Sequence, residues 1–193
     1  MPRIAAENVP EHRRLVRERI FAAFAELMVE GSYDAVSMSK LAQRAEIGRT
    51  AIYHHFKDRD AVMVAFATHE TSEYVASLRA QLAASEQPAE RLRIYVRNHL
   101  TLGETPLHKR RGHMGFGPQV YGALPEGARQ EIREHVVAVE EVLAEILEQG
   151  VEQGTFAVTD IDATLSLIHA VLGTRQVPAE SVEEFVLHAV GAP

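Results

Sequence analysis

The chain has no cysteine. Disulfides and thiolate metal sites are therefore excluded, and the composition fits a reducing cytoplasm, where the protein is expected to act. No uninterrupted apolar run is long enough to cross a bilayer, so no membrane association is expected. The opening residues, MPRIAAENVPEHRR, lack the apolar stretch of a secretory leader. Convincing strand alternation is missing as well. The residues GTFAVTD at 154–160 are the only β-like stretch, and they are too short to build a sheet. Also missing are GxSxG, a P-loop and the Rossmann glycine fingerprint. Gly112-His-Met-Gly115 and Gly115-Phe-Gly117 follow no predicted strand. An enzyme is not expected, and neither is a cofactor.

What is present suits a folded helical protein. Of 193 residues, 46% are hydrophobic and 24% charged, which is enough apolar material for a core. The formal net charge of −7 is unevenly spread. Residues 1–59 carry ten Lys/Arg against eight Asp/Glu, whereas residues 60–193 carry ten against nineteen. A mildly basic N-terminal third is thus joined to an acidic remainder, as expected if one end alone touches phosphate.

The apolar periodicity predicts an all-α fold. From Arg13 to Glu30, Val16, Ile20, Phe24, Leu27 and Met28 form one stripe, stopped by Gly31. Ser37 can cap a short helix, Met38 to Ala45, and Gly48 can start another, Arg49 to Phe56. Asp58 can cap a long helix reaching about Ala84. Pro88 interrupts the pattern, which resumes over 89–102. Residues 103–127, rich in Gly and Pro, predict loops around a short or broken helix. Pro125 suits the first turn of a helix ending near Gly150. Asp160 can cap a helix to Leu172, and Pro178 opens the last one, to Val190. Three short N-terminal helices, residues 1–59, precede a larger helical body, residues 60–193.

The stretch from Ser37 to Arg59 carries the functional signal. Leu41, Ala42 and Ala45 supply the inner face of one helix, Ile47 plugs the turn, and Ile52 and Phe56 supply the inner face of the next. The outer face of the second helix is rich in hydrogen-bond donors, which describes a helix-turn-helix. Arg49 and Thr50, at its N-terminal end, are expected at base edges. Tyr53, His54 and Lys57, with Ser37, Ser39 and Lys40 from the first helix, are expected at phosphates, as are Arg13, Arg14 and Arg59. These residues closely resemble the TetR family of transcriptional regulators. The run Thr50-Ala-Ile-Tyr-His-His-Phe-Lys-Asp-Arg59 is similar to its recognition-helix signature, Leu41-Ala-x-x-Ala45 also matches, and so do Gly31-x-Tyr33, Val36 and Ser37. The likeness covers about residues 13–66. One departure concerns the turn, where the family often has Gly and this chain has Glu46. A non-glycine residue there costs roughly 1 kcal/mol if left-handed.

The resemblance implies a homodimer on palindromic double-stranded operator DNA, acting as a repressor that a small-molecule effector releases. It also implies that the last two helices pair between chains, through Leu165, Ile168, Val171 and Leu172 on one and Val182, Phe185, Val186 and Ala189 on the other. In the body, Phe66, His69, Tyr95, His99, Met114, Phe116 and Tyr121 are expected around an effector pocket, which would take an apolar or aromatic ligand. The same residues also suit a plain helical core, and the two readings are compatible. No histidine pair among His69, His99, His108, His113 and His135 has helical ligand spacing, so no metal site is expected. Lys109-Arg110-Arg111 is either a solvated loop or an anion-attracting cluster. Two other functions stay open. A helical enzyme or carrier that has lost DNA binding would fail an operator gel shift, and an architectural DNA binder would show weak sequence preference and no effector.

Overall fold

The computed structural model describes residues 8–31, 33–102, 121–122, 124–174 and 177–192. Among these residues the regular elements are helices, and no strand is present. Helix α1 spans Asn8–Glu30 and α2 spans Met38–Arg44; α3 is Arg59–Leu82 and α4 is Pro88–Leu102; α5 is Glu126–Glu152, α6 is Ile161–Leu172 and α7 is Ala179–Ala189. Two short 3-10 turns, Tyr33–Ala35 and Ala51–His54, flank α2. No helix of the described residues is long and apolar enough to cross a membrane.

Residues 8–68 with 121–131 form one compact unit, and residues 69–102 with 132–192 another. Arg59, where the sequence reading ends its first domain, is the first residue of α3, and α3 contributes to both units. In the first unit, Val16, Ile20, Phe24 and Met28 recur every four residues along α1, and all four are buried. Leu41, Ala42 and Ala45, then Ile52 and Phe56, close over that stripe together with Val62, Met63 and Phe66 from the start of α3. Phe66 packs on Phe24 at 5.2 Å between ring centroids and edge-on to Phe21 at 6.0 Å. Burying each such side chain contributes about 1.5–3 kcal/mol of transfer free energy.

Helix ends follow local chemistry. Ser37 Oγ accepts from Lys40 N at 3.3 Å, Asp58 Oδ1 from Ala61 N at 2.8 Å, and Asp160 Oδ1 from Ala163 N at 2.9 Å. Each side chain takes up an amide that the first helical turn leaves without a partner. Pro88 is the first residue of α4, a position that needs no amide hydrogen, so it begins that helix instead of merely interrupting the pattern. The GTFAVTD stretch forms no ladder; Ala157 N donates to Val190 O at 2.8 Å as a single backbone link.

The second unit's core gathers Leu78, Leu82, Leu92, Tyr95, Val96, Val142, Leu143, Ile146, Leu147, Phe156, Ile168, Leu172, Val182 and Val186. Phe156 closes the end of α5. Its ring lies where a Cβ on Gly150 would stand, 1.9 Å from the nearest ring carbon. Thr155 N and Phe156 N both donate to Gly150 O, at 2.8 and 3.0 Å, which fixes the chain reversal that brings the ring in.

Candidate functional site

The helix-turn-helix is built from α2, a left-handed turn and the Ala51–His54 turn. Glu46 has φ 54°, the left-handed conformation that glycine would adopt without strain. The second helix is shorter than its apolar spacing predicts. Instead of an α-helix from Arg49 to Phe56, Ala51–His54 forms one tight 3-10 turn. Its bonds mix the two ladders: Ala51 N and Ile52 N both donate to Gly48 O, at 2.9 and 3.3 Å, and His55 N and Phe56 N both donate to Ile52 O at 3.0 Å. Thr50, Ile52 and the rings at 53–56 all lose side-chain freedom in an α-helix, so the tighter turn meets little competition.

The inner and outer faces separate as expected. Ile52 and Phe56 are buried. Arg49, Thr50 and His54 are exposed, and Tyr53 is 53% exposed despite its large ring. Ser39 and Lys57 are exposed as well. Ser37 uses its oxygen as the α2 cap, and Lys40 Nζ donates to Ala35 O at 2.7 Å.

Other cations expected at phosphates are engaged within the protein. Arg14 pairs with Glu11 and Glu18 on the surface of α1. Arg59 is drawn to the Tyr33–Val36 backbone. Arg44, also basic, holds Glu26 at 2.9 Å and Glu30 at 2.8 Å. Arg17 lies over the Phe56 ring at 4.9 Å. The His55 imidazole is held below its ordinary pKa by burial, then by the positive charge of Arg13, Arg17, His54 and His12. A field of that sign attracts phosphate.

In the second unit, Tyr95 is fully buried, and its hydroxyl lies 3.0 Å from His169 Nε2. The His99 ring stacks on Tyr95 at 6.1 Å and lies 6.1 Å from His169. Glu140 stands 3.8 Å from His169 Nδ1. The Tyr74 hydroxyl is buried with no hydrogen-bond partner among the described residues, and burial raises its pKa to about 12. This polar cluster, set against the apolar core, brings together Tyr95 and His99 of the expected pocket residues. Phe66 belongs instead to the aromatic core of the first unit. Tyr121 is half-buried in that unit, its hydroxyl donating to Arg129 O at 3.5 Å. His69 is half-buried. Met114, Phe116 and the Lys109–Arg111 cluster lie outside the described residues. The sequence reading missed His169 and Glu140, although His169 falls on the inward stripe between Leu165 and Leu172.

Burial also lowers the His169 pKa, and Glu140 offsets this only in part. A histidine harder to protonate when folded leaves stability intact above its unfolded pKa of about 6.5, and stability is lost as pH falls through that value. Melting curves between about pH 8 and about pH 5.5 should show wild type losing more Tm on acidification than His169→Gln. Equal losses in the two proteins would remove His169 as the source.

The side chains expected to pair between chains divide between the chain's own core and its exterior. Ile168, Leu172, Val182 and Val186 are buried in this chain's own core, and Leu165 and Val171 pack partly against it. The apolar side chains left outside are Leu167, 67% exposed, Phe185, 57% exposed, and Val177, 44% exposed. Ala189 is exposed beside Phe185 on α7, and Ala163 and Ala170 flank Leu167 on α6. Each helix thus has a core face and a second, outward apolar face, and the sequence stripe on α6 marked the first.

Comparison with known proteins agrees with this architecture. Residues 20–66 match the family described as bacterial regulatory proteins, tetR family, and residues 88–184 match the tetracyclin repressor-like C-terminal domain. The chain is 32% identical over 76 residues to the HTH-type transcriptional repressor Rv1474c of Mycobacterium tuberculosis, covering 39% of this chain and 38% of that one. The match therefore spans about two fifths of that relative's length. A transcriptional regulator from Saccharomonospora viridis, solved in complex with choline, superposes with a TM-score of 0.74 at 17% identity, covering 91% of this chain and 95% of that one. The regulator FadR from Bacillus subtilis, in complex with stearoyl-CoA, gives 0.68 at 18% identity, covering 89% and 88%. At these identities the structural likenesses speak for the fold.

Proposed function

The chain belongs to the tetR family of bacterial regulatory proteins, and from that premise we propose that it is a dimeric, sequence-specific DNA-binding repressor, released from a palindromic operator by a small molecule. The observation that carries this reading is the exposed donor face of Arg49, Thr50, Tyr53 and His54, mounted on the buried Ile52 and Phe56. Arg49 and Thr50 lead into the turn and read base edges. Tyr53, His54, Lys57, Ser37, Ser39 and Lys40 hold phosphates, which fixes register on the duplex. Leu167, Phe185 and Ala189 seat the partner chain. Regulatory, not catalytic, chemistry follows from the family.

The effector binds in the second unit, among Tyr74, Tyr95, His99 and His169. Burial favours the protonated form of both tyrosine hydroxyls and the neutral form of His169, so these three groups offer hydrogen bonds without charge of their own. The surroundings are apolar, so the matching ligand is largely apolar or aromatic, with a polar group that accepts from the Tyr74 hydroxyl. Helix α3 carries both Arg59 and Tyr74 in its sequence. A ligand that displaces α3 is thereby coupled to the reading turn, provided it binds the DNA-incompetent state more tightly, by about 1.4 kcal/mol per tenfold loss of operator affinity.

Selection of bound sequences from a random duplex library tests the first half of this reading. A palindrome with half-sites about one helical turn apart or more is expected; a library that yields no enriched sequence would overturn it. Apolar and aromatic compounds that raise the Tm should then release the selected duplex, and Tyr95→Ala should weaken that release.

A further inference from the structure

Arg59 follows Lys57 and Asp58 at the end of the reading segment, where a cation would ordinarily serve the DNA backbone. Its guanidinium is instead engaged on every edge. Nη1 donates to Tyr33 O at 3.2 Å, Val36 O at 3.3 Å and Asp34 O at 3.5 Å. Nη2 pairs with Asp34 at 3.7 Å and Nε with Asp60 at 3.8 Å. The plane of the group lies over the Tyr33 ring at 4.5 Å, and the hydroxyl of that buried tyrosine donates to Asp60. Lys40 takes the remaining carbonyl of this turn, Ala35 O.

The knot joins two places that matter to the reading element. Tyr33–Val36 leads directly into Ser37, the cap of α2, and Arg59 and Asp60 are the first two residues of α3. The Ala51–His54 turn hangs between α2 and α3, so its aim depends on how those helices are held. We propose that Arg59 is a positioning residue for DNA reading: it clamps the start of α3 to the turn before α2, and it makes no phosphate contact. This rests on the DNA-binding function proposed above. Lysine cannot replace it, because a single ammonium cannot reach three carbonyls and two carboxylates while stacking on a ring. The clamp orients base contacts, which depend on angle, and leaves phosphate contacts, which depend mainly on charge, nearly as they were.

The test compares wild type, Arg59→Lys, Arg59→Ala and Tyr33→Phe on the selected palindromic duplex and on a scrambled duplex, across a KCl series. Hydrogen exchange is followed on the DNA-free proteins. For Arg59→Lys the palindrome should bind about tenfold or more weakly, with scrambled-duplex affinity and the salt slope unchanged. Amides over residues 33–45 should exchange faster. Tyr33→Phe keeps the ring and should give a smaller loss of the same kind. If Arg59→Ala does not fold, Arg59→Gln, which also lacks the charge, is read in its place. In the uncharged variant, a salt slope shallower by about 0.9 per subunit would make Arg59 a phosphate ligand and overturn the proposal. So would a lowered Tm with an unchanged ratio of palindrome to scrambled affinity. A wild type that prefers no sequence would overturn the function itself, and the proposal with it; a preference lost only in the variants separates the two.

Discussion

Leu167→Asp combined with Phe185→Asp should yield a folded monomer that no longer holds its operator. Both side chains stand in water in the single chain, at 67% and 57% exposure, so their replacement removes little from its own core. In a dimer seated on these faces, each aspartate would be buried without a partner, at a cost of several kcal/mol. Two such sites on each chain exceed what a moderate dimer interface supplies. A monomer also loses the linked second half-site, so operator affinity should fall by about 100-fold or more. Sedimentation velocity and a gel shift check the two parts, and circular dichroism should show unchanged helix content. A variant that still sediments as a dimer would move the interface elsewhere. Val182→Asp makes a useful contrast, since Val182 is buried and its replacement should unfold the second unit outright.

Arg49→Ala and Tyr53→Ala are the second pair with a large expected effect. Each lost contact is worth about 1–3 kcal/mol per half-site, so a dimer on a palindrome loses about 2–6 kcal/mol, or 30-fold to 10⁴-fold in affinity. The melting temperature should stay within about 2 °C of wild type, because both side chains are exposed. The two variants should differ in kind. Arg49→Ala should relax the sequence preference, whereas Tyr53→Ala should weaken all sequences alike. Unchanged operator affinity in both variants would remove the Ala51–His54 turn from the interface.

The residues that were readable from sequence are those whose neighbours are near in the chain. Val16, Ile20, Phe24 and Met28 announce a buried helical stripe by spacing alone. Ser37, Asp58 and Asp160 announce helix starts because their oxygens reach an amide three residues on. Glu46 stood out only through the resemblance, because the family often has Gly at that place in the turn, and its φ of 54° is the left-handed value. The reading turn was overextended because Ile52 and Phe56 have the same spacing in an α-helix and in a turn of mixed bonds. The fate of Arg59 was hidden for a different reason. Its carbonyl acceptors lie 23 to 26 residues away, and no local pattern shows that a cation will turn inward. On α6 the pattern was real, and its strongest stripe is also the one that packs into the chain's own core, while Leu167 is exposed on another face. His169 was legible as a polar residue on an apolar stripe, yet its partners Tyr95 and Glu140 come from other helices.

Gly150 and Phe156 constrain each other in a way that reaches beyond this one chain. A methyl group at 150 would stand 1.9 Å from the ring, so position 150 cannot gain a side chain unless the ring at 156 moves or shrinks. The two positions should therefore be coupled across related sequences. Alanine or serine is expected at the first only where the second has shrunk to leucine, valine or smaller, and a large ring at the second only above glycine. A side chain at position 150 is thus open only to a chain whose position 156 has already shrunk, and Phe156→Leu followed by Gly150→Ala is the shortest such path from this sequence.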